Sequence, residues 1–281
     1  MAISDQLKKL VDEMPAADSR GMYTTDIDKE KIEKAAAEIA KGGKANLLGL
    51  IEMLGAPGAE EDVKPHYALH CVVNHTLVTD DEKLRKDFCD AMAEQLGNDN
   101  LTTYNRAYLC QELQWAGRDE ACPALGKVLL DENLTEVAAM ALAAIGGERA
   151  ASQLRAAVPK TTGKCRLCAI DALAALGDAK SADAFRQALT DGDREVRIAA
   201  GDGLSKLGDA AAIDAMLKAA GAEPGWERIQ ATKHCLVLAE KLSAGGNKEA
   251  ARKIYTSLRD SRTDPSEKYV RDLAEKALAA A

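Results

Sequence analysis

Apolar positions in the middle of the chain recur with the period of a helix face, and this pattern is repeated three times. Each copy ends at a glycine, and Gly146, Gly177 and Gly208 lie 31 residues apart. Counting back from each glycine, apolar or small residues occupy positions one, four, five, eight, nine and twelve, which form one buried stripe of an α-helix. A helical unit repeated at this period is typical of an α-solenoid, in which each unit buries its apolar face against its neighbours.

Short apolar segments alternate with these helices, which indicates a series of antiparallel helix pairs. Leu125, Leu154, Phe185 and Met216 recur in the short first helices at spacings of 29, 31 and 31 residues. Their recurrence predicts an all-α fold of about fourteen or fifteen helices in one solenoid. Three regions are expected along the chain: an N-terminal helix and loop (1–27), degenerate helical repeats (28–117), and regular repeats with a C-terminal cap that continue from them (118–281).

Residues with a known capping preference indicate where several helices begin. Thr79 with Glu82 forms a capping-box pattern, which predicts a helix that starts at Thr79. Asn133 is a preferred N-cap residue and predicts the start of another helix. Asp264 directly before a proline predicts the start of the last helix, because proline is favoured in a first turn.

Two stretches before residue 65 have a composition that interrupts or starts a helix. Residues 14–27 contain Pro, Gly and small polar residues, and we predict a loop there. Glu60, Glu61 and Asp62 stand at the start of a predicted helix. Carboxylates in a first turn complement the positive end of the helix dipole, so this acidic run supports the predicted start.

The sequence DGDREVRIAAGDGLSKLGD resembles the second helix and turn of the short HEAT-like repeats first named for phycocyanobilin lyases. Asp193 and Arg197 match the Asp-then-Arg pair that such repeats carry. The resemblance is strong over residues 118–220 and looser over 28–117 and 221–281. It implies an armadillo-like, right-handed superhelix of antiparallel helix pairs, in which the second helices line a concave groove.

Composition and charge narrow the class of partner. Apolar residues make up 47% of the chain and aromatic residues only 4%, which suits tightly packed helices. The net charge of −8 disfavours a nucleic-acid partner, because that binding depends on clustered cations.

No stretch approaches the roughly 20 apolar residues that cross a bilayer. The seven cysteines, an odd number, indicate reduced thiols. We therefore expect a cytoplasmic protein with no membrane partner.

The motifs of several enzyme classes are missing from the sequence. It contains no G-x-S-x-G, P-loop or G-x-G-x-x-G motif, and no His-Glu dipeptide of the kind that binds iron in HEAT-fold hydroxylases. Cys165 and Cys168 form a C-x-x-C pair, but no second pair completes a zinc site. Both occupy positions of the core stripe, so we interpret them as small buried hydrophobic residues. The sequence favours a non-enzymatic protein without a cofactor.

Three of the four histidines lie close together in one predicted helix, with a cysteine among them. His66 and His70 are four residues apart on one helical face, which is a spacing found among metal ligands. Cys71 and His75 lie on a face rotated by roughly 100°, so one straight helix cannot direct all four side chains at one ion. Packing of the histidines between repeats is the favoured interpretation, and a metal site at His66 and His70 is the alternative.

Arginines recur at a position that the core stripe does not explain. Arg106, Arg166 and Arg197 each lie eleven residues before a repeat-closing glycine. One interpretation is a ladder of Asp–Arg contacts between neighbouring repeats. The other is a cationic stripe along the concave groove that would hold an acidic or phosphorylated protein. Three further cations would extend this stripe: Arg228, Lys233 and Arg271. We favour the ladder, and both interpretations are compatible because a guanidinium has five donors.

Trp226 opens a helix inside the insertion GAEPGWERIQ, which breaks the 31-residue period. Such a departure indicates a loop on a binding face or, equally, a tryptophan that packs on the preceding turn as a hydrophobic staple at the helix start.

The leading hypothesis is a non-enzymatic scaffold that binds another protein in the concave groove. Its candidate contacts are Tyr104, Arg106, Arg166, Arg197, Trp226, Arg228, Lys233 and Arg271. The alternatives are a bilin-lyase-like or chromophore-handling protein and, more weakly, a metal-binding protein that uses the histidine cluster.

Overall fold

The computed structural model describes residues 3–16, 27–56, 59 and 62–280. Within these ranges the chain forms sixteen α-helices, rather than fourteen or fifteen, and no β-strand. The predicted all-α solenoid class is confirmed. Short turns and 3₁₀ segments link the helices, as the dense run of Gly, Asp and Pro between apolar stretches predicts.

The first of two structural units comprises Met1–Gln153. Its helices are, in chain order, α1 (Asp5–Asp12), α2 (Lys29–Lys41), α3 (Gly43–Glu52), α4 (Val63–Val78), α5 (Glu82–Gln95), α6 (Thr103–Ala116), α7 (Cys122–Val128) and α8 (Thr135–Ile145). The helices α2, α4, α6 and α8 pack against one another in succession and form a second-helix layer, whereas α3, α5 and α7 form the other layer. The apolar core lies between these layers.

The second unit comprises Leu154–Ala281, and α9 (Gly147–Ala157) crosses from the first unit into it. Its other helices are α10 (Gly163–Leu176), α11 (Ala182–Ala188), α12 (Arg194–Leu207), α13 (Ile213–Ala220), α14 (Trp226–Ala244), α15 (Lys248–Ser261) and α16 (Lys268–Ala280). The second-helix layer runs through α10, α12 and α14, while α13 and α15 pack in the other layer. The last helix, α16, packs on α15.

The 31-residue repeat fixes both the core and the helix ends of the second unit. Leu173 and Leu204, four residues before the closing glycines, are fully buried. Gly177 and Gly208 have φ angles of 63° and 73°, a left-handed conformation that glycine adopts without strain. Their amides donate to carbonyls of the last turn and so close α10 and α12. The same sequence signal therefore marks the buried face and the C-cap.

The helices α5 and α8 are present as predicted, but the residues predicted to cap them are wrong. Asp81, rather than Thr79, caps α5: its Oδ1 accepts from Leu84 N at 2.9 Å, whereas the Thr79 hydroxyl donates to the preceding helix. Asn133 caps nothing, since its side chain donates to Asp131 in the turn before α8. The third prediction is confirmed, because Asp264 caps the short 3₁₀ turn that leads into α16.

Some sequence predictions concern residues that the structure does not describe. The predicted loop over 14–27 falls largely on 17–26, and Glu60 and Glu61 of the predicted acidic first turn also lie outside the described residues. Asp62 is described, and it is buried at the start of α4. Its Oδ1 accepts a hydrogen bond from Gly55 N at 2.8 Å, so this carboxylate anchors the preceding turn to α4.

Candidate functional site

In the second unit, the recurrent arginines bind carboxylates that lie further along the chain. Arg166 Nη1 donates to Asp191 Oδ2 at 2.6 Å. Arg197 Nε and Nη2 donate to the two oxygens of Glu227 at 2.6 and 2.8 Å, and its Nη1 donates to the backbone carbonyl of Asp191 at 2.8 Å. Paired donors of this kind match the two oxygens of a carboxylate, which gives the contact a fixed geometry. The bonds to the carboxylates of Asp191 and Glu227 each tie the start of one second helix to the next repeat, whereas the bond to the Asp191 carbonyl lies within the turn before α12.

Arg228 continues this series, because it follows Arg197 by 31 residues. Its Nε and Nη2 donate to the two oxygens of Glu267 at 2.8 and 2.5 Å. The hydrogen bonds from Arg197 and Arg228 lower the pKa of Glu227 and of Glu267, respectively, so both carboxylates remain ionised. The arrangement corresponds to the predicted acid–arginine ladder, and it neutralises cations that a free stripe would offer to a ligand.

A second ladder with the same period lies on the first helices, and sequence reasoning missed it. Arg155 Nη1 donates to Asp178 Oδ2 at 2.8 Å, and Arg186 Nη1 donates to Asp209 Oδ2. Each aspartate directly follows a repeat-closing glycine, and each arginine stands 23 residues before its partner. The recurring Gly-Asp pair, taken with this spacing, is a sequence signal that could have identified the contacts.

Exposed apolar side chains collect beside the last rung of the ladder. Trp226 and Ile229 on α14 are 54% and 52% exposed, and they stand on either side of Arg228 in the sequence. Tyr269 and Leu273 on α16 are 62% and 41% exposed, and the Arg228–Glu267 bonds hold the two helix starts together. We call these exposed side chains, together with two cations of the same helices, the α14–α16 surface. Its members are Trp226, Ile229, Lys233, Tyr269, Arg271 and Leu273.

The two cations of the α14–α16 surface are less engaged than the ladder arginines. Lys233 is exposed, and Arg271 Nη1 donates to the backbone carbonyl of Arg262 at 3.0 Å. Neither forms an ion pair with a carboxylate within the described part of the chain. Residues 154–281 contain 21 Lys and Arg against 18 Asp and Glu, whereas residues 1–153 contain 16 against 27. The overall negative charge therefore resides in the first unit, and the second is slightly basic.

In the first unit, Arg106 and Tyr104 lie near the start of α6. Arg106 Nη2 is 3.7 Å from Asp131 Oδ2, a longer contact than those of the second unit. Tyr104 is 45% exposed, and the centre of its ring lies 5.4 Å from that of His66. Tyr108, one turn further along α6, packs against the same imidazole at 4.4 Å and donates from its hydroxyl to the carbonyl of His66 at 2.7 Å.

The histidines of α4 are held by buried carboxylates. His66 Nδ1 lies 2.8 Å from Asp62 Oδ1, and His70 Nδ1 lies 3.0 and 3.2 Å from the two oxygens of Glu112. The bond to Glu112 raises the pKa of His70, and the partial burial of the ring opposes that effect. The backbone carbonyl of His75 accepts from the Thr79 hydroxyl at 2.8 Å. The side chains of His66 and His70 are thus hydrogen-bonded groups, and both lie beside α6.

The family model for HEAT repeats matches residues 161–236. This stretch of the second unit is therefore similar to HEAT repeats. No curated protein matches the sequence of the chain significantly. Solved structures that are similar to it include an engineered protein, which is 18% identical with a TM-score of 0.47 over 97% of this chain and 77% of that one. They also include the CpcE–CpcF complex of phycocyanin lyase from Nostoc sp. PCC7120, which is 18% identical with a TM-score of 0.37 over 90% of this chain and 94% of that one. A third is the archaeal HEAT-like repeats protein from Thermococcus onnurineus NA1, which is 13% identical with a TM-score of 0.38 over 91% of this chain and 100% of that one.

The 31-residue register, extended back to α6, explains two polar residues that sequence reasoning missed. Glu112 and Asn105 lie five and twelve residues before Gly117, at positions where the later repeats have small or apolar side chains. Both are almost completely buried. Glu112 holds His70, and Asn105 Nδ2 donates to the carbonyls of Leu54 and Gly55. Extending the register to α6 would have identified both as polar groups in the core stripe.

The C-x-x-C pair of the HEAT-like repeats divides between two environments. Cys165 is buried, as its place in the core stripe predicts. Cys168 is only partly buried, so the expectation that both thiols are buried is wrong for this residue. Ala199 occupies the equivalent position one repeat later and is buried. The two positions therefore share a register, although the larger Cys168 side chain reaches the edge of the core. Neither cysteine forms a disulfide.

Neither a metal site nor a membrane span is evident in the residues described. Among them, no group of three or more His, Cys, Asp and Glu side chains is arranged to hold a metal ion. The hypothesis of a metal at His66 and His70 therefore lacks a third protein ligand there. A search of the same residues found no helix with the length and apolarity needed to cross a membrane.

The predicted contact residues are distributed over both units. Tyr104 and Arg106 belong to the first unit, and the other six belong to the second. Trp226 and Lys233 share one face of α14, Arg271 lies on α16 and bonds to the Arg262 carbonyl, and Arg166, Arg197 and Arg228 are engaged with carboxylates. Sequence reasoning missed Ile229, Tyr269 and Leu273. Their spacing of three or four residues on helix faces away from the core stripe is the signal that could have found the surface.

Proposed function

We propose that this protein is a non-enzymatic scaffold that binds another protein on the second-helix layer, with the α14–α16 surface as the principal contact. The supporting observation is the cluster of exposed Trp, Ile, Tyr and Leu side chains beside Lys233 and Arg271. Isolated exposed apolar residues need no explanation, whereas several on adjoining helices are characteristic of interaction sites. Trp, Tyr and Arg are also the residues that contribute most to binding free energy at protein interfaces.

The bound segment is proposed to be acidic or phosphorylated. Lys233 and Arg271 have no carboxylate partner within the described residues, and residues 154–281 carry a small excess of cations. Arg166, Arg197 and Arg228 contribute little to this preference, because their guanidinium groups already bind Asp191, Glu227 and Glu267. Their role is to hold successive helices in register, so that the apolar side chains stand on a rigid support.

A capture experiment tests the proposed surface. The protein and its Trp226→Ala/Tyr269→Ala variant are used to capture partners from a lysate of the source organism. We expect a stoichiometric partner that the variant retains at least about tenfold less well, since each truncated side chain removes a large apolar contact. Leu130→Ala, which truncates a similarly exposed apolar side chain of the first unit, is the control and retains the partner. Capture of no partner, or equal capture by the double variant, contradicts the proposal.

Chromophore handling is the second candidate, and one cavity of the first unit gives it support. The cavity has a volume of about 580 Å³ and is lined by α1, α3 and the α5–α6 turn, which is within the usual range for small-molecule sites. Among the described residues, its polar lining consists mainly of Asn and Gln with Glu52, and includes no Lys or Arg to pair with the carboxylates of a tetrapyrrole. Purified protein that absorbs visible light, or that transfers a tetrapyrrole to an acceptor thiol, would favour this candidate over the scaffold.

A further inference from the structure

Aromatic side chains are concentrated on one face of the first unit. The chain has only ten Tyr, Trp and Phe residues, and four of them lie on α4 and α6. Tyr104, Tyr108 and Trp115 occupy positions of one helical face of α6, and Tyr67 lies on α4 beside Cys71. Trp115 is 66% exposed. In a protein with so few aromatic residues, this concentration on the second-helix layer requires a physical reason.

Met140 of α8 extends this aromatic face. It lies six residues before Gly146, as Gln111 lies six residues before Gly117, and α6 packs directly against α8. Met140 is 51% exposed. Flexible thioether side chains adapt their shape to an apolar partner, and Met is enriched at interfaces together with Trp and Tyr. We call this the α4–α6–α8 face, and its members are Tyr67, His70, Tyr104, Tyr108, Trp115 and Met140.

The α4 and α6 part of the α4–α6–α8 face is almost free of charge, and α8 contributes one charged residue, the exposed Glu136 one turn before Met140. Residues 65–78 contain no Asp, Glu, Lys or Arg. Of the two charged residues of α6, Glu112 is buried and Arg106 lies beside Asp131. Depletion of charged residues, with enrichment of aromatic ones, is the compositional signal of an interface core. A solvated surface of a soluble domain would carry the charges that make up 29% of this chain.

The side chains of this face are held in place before any ligand arrives. Two tyrosine rings contact the imidazole of His66, and Tyr108 donates to the His66 carbonyl. The buried Glu112 carboxylate fixes the ring of His70, which is 43% exposed. Groups that are already ordered lose little conformational entropy on binding, so their contacts contribute more of their free energy to affinity.

The charge of the first unit selects the kind of partner. Residues 1–153 carry 27 Asp and Glu against 16 Lys and Arg, and the exposed Glu136 stands one turn before Met140 on α8, which gives the face an acidic border. We infer that the α4–α6–α8 face docks a protein segment with an aliphatic or aromatic anchor flanked by Lys or Arg. The anchor packs on Trp115 and Met140, and the flanking cations approach the acidic border and stack on the exposed ring of Tyr104. This site goes beyond the proposed function, since it lies on another unit and prefers the opposite charge.

The two tryptophans of the chain allow a direct test. An amphipathic peptide of leucine and lysine is titrated into the ¹⁵N-labelled full chain, and the two indole N–H signals are assigned with Trp115→Phe and Trp226→Phe. We expect the Trp115 signal to shift while the Trp226 signal stays in place. Trp115→Ala and Met140→Ala are each expected to weaken binding by about tenfold or more. Leu130→Ala, which truncates an equally exposed side chain in the turn after α7, is the matched control and leaves binding unchanged.

Two other peptides separate this site from simple charge attraction and from the proposed scaffold surface. A peptide of lysine and serine with the same charge is expected to leave the Trp115 signal in place, because it lacks the apolar anchor. A leucine and glutamate peptide tests the α14–α16 surface through Trp226, so either site can fail without the other. Equal binding of the lysine and serine peptide, a shift of Trp226 alone, or unchanged affinity in Trp115→Ala and Met140→Ala overturns the inference.

Discussion

The ring of Phe185 lies directly against the backbone of Gly203. A β-carbon placed on Gly203 would be 2.8 Å from two atoms of the ring, and Phe185 is completely buried. One repeat earlier, the corresponding positions hold Leu154 and Ala172. Phe185 is larger than Leu154, and Gly203 is smaller than Ala172. The two differences compensate, which keeps α11 and α12 in contact at native packing density.

This relationship predicts that Gly203→Ala destabilises the protein although alanine favours helices. The added methyl group must displace a buried ring, and overpacking of this kind costs about 1–3 kcal/mol. Gly192→Ala is the control, because a β-carbon there meets no atom within 4 Å. Urea unfolding monitored by circular dichroism compares the two variants. Equal stability of Gly203→Ala and the parent chain would show that the helices separate without cost.

The sequence predicted the Gly203 slot but not the residue that fills it. Register with Ala141 and Ala172 identifies a position for a small side chain, because period alone defines the buried face of a helix. The pairing with Phe185 depends on how the first helix docks, which no local pattern encodes. For the same reason, Glu112 and His70, 42 residues apart, come together only through the packing of α4 against α6.

The arginine ladder predicts a measurable coupling between consecutive repeats. Arg197→Ala removes two hydrogen bonds to Glu227 and is expected to lower the free energy of unfolding by about 1 kcal/mol, since the pair is only partly exposed. A double-mutant cycle with Glu227→Ala should recover most of this loss as interaction energy. Arg194→Ala is the matched control, because Arg194 pairs on the surface with its sequence neighbour. A coupling of zero would mean that the ladder does not stabilise the stack.

Charge reversal on the α14–α16 surface should affect binding without affecting the fold. Lys233 is exposed and lacks a carboxylate partner within the described residues, so Lys233→Glu is expected to leave the unfolding midpoint within experimental error. Binding of an acidic partner should weaken by about tenfold and lose part of its dependence on salt. Lys218→Glu, an exposed substitution on the first-helix layer, makes the same change in net charge. Equal weakening by both substitutions would indicate a non-specific effect of charge.

The hydrogen bond between His70 and Glu112 predicts how stability depends on pH. Glu112 raises the pKa of His70 in the folded chain above its unfolded value of about 6.5. The stabilisation is therefore fully present below pH 6.5 and is lost as the pH rises through the folded pKa. Glu112→Gln should return the pKa of His70, followed by NMR of the imidazole, towards its ordinary value and flatten this part of the pH–stability curve. Glu132→Gln, which removes an exposed carboxylate from the same unit, should change neither quantity. A His70 pKa that is the same in Glu112→Gln as in the parent would mean that the buried carboxylate does not hold the imidazole.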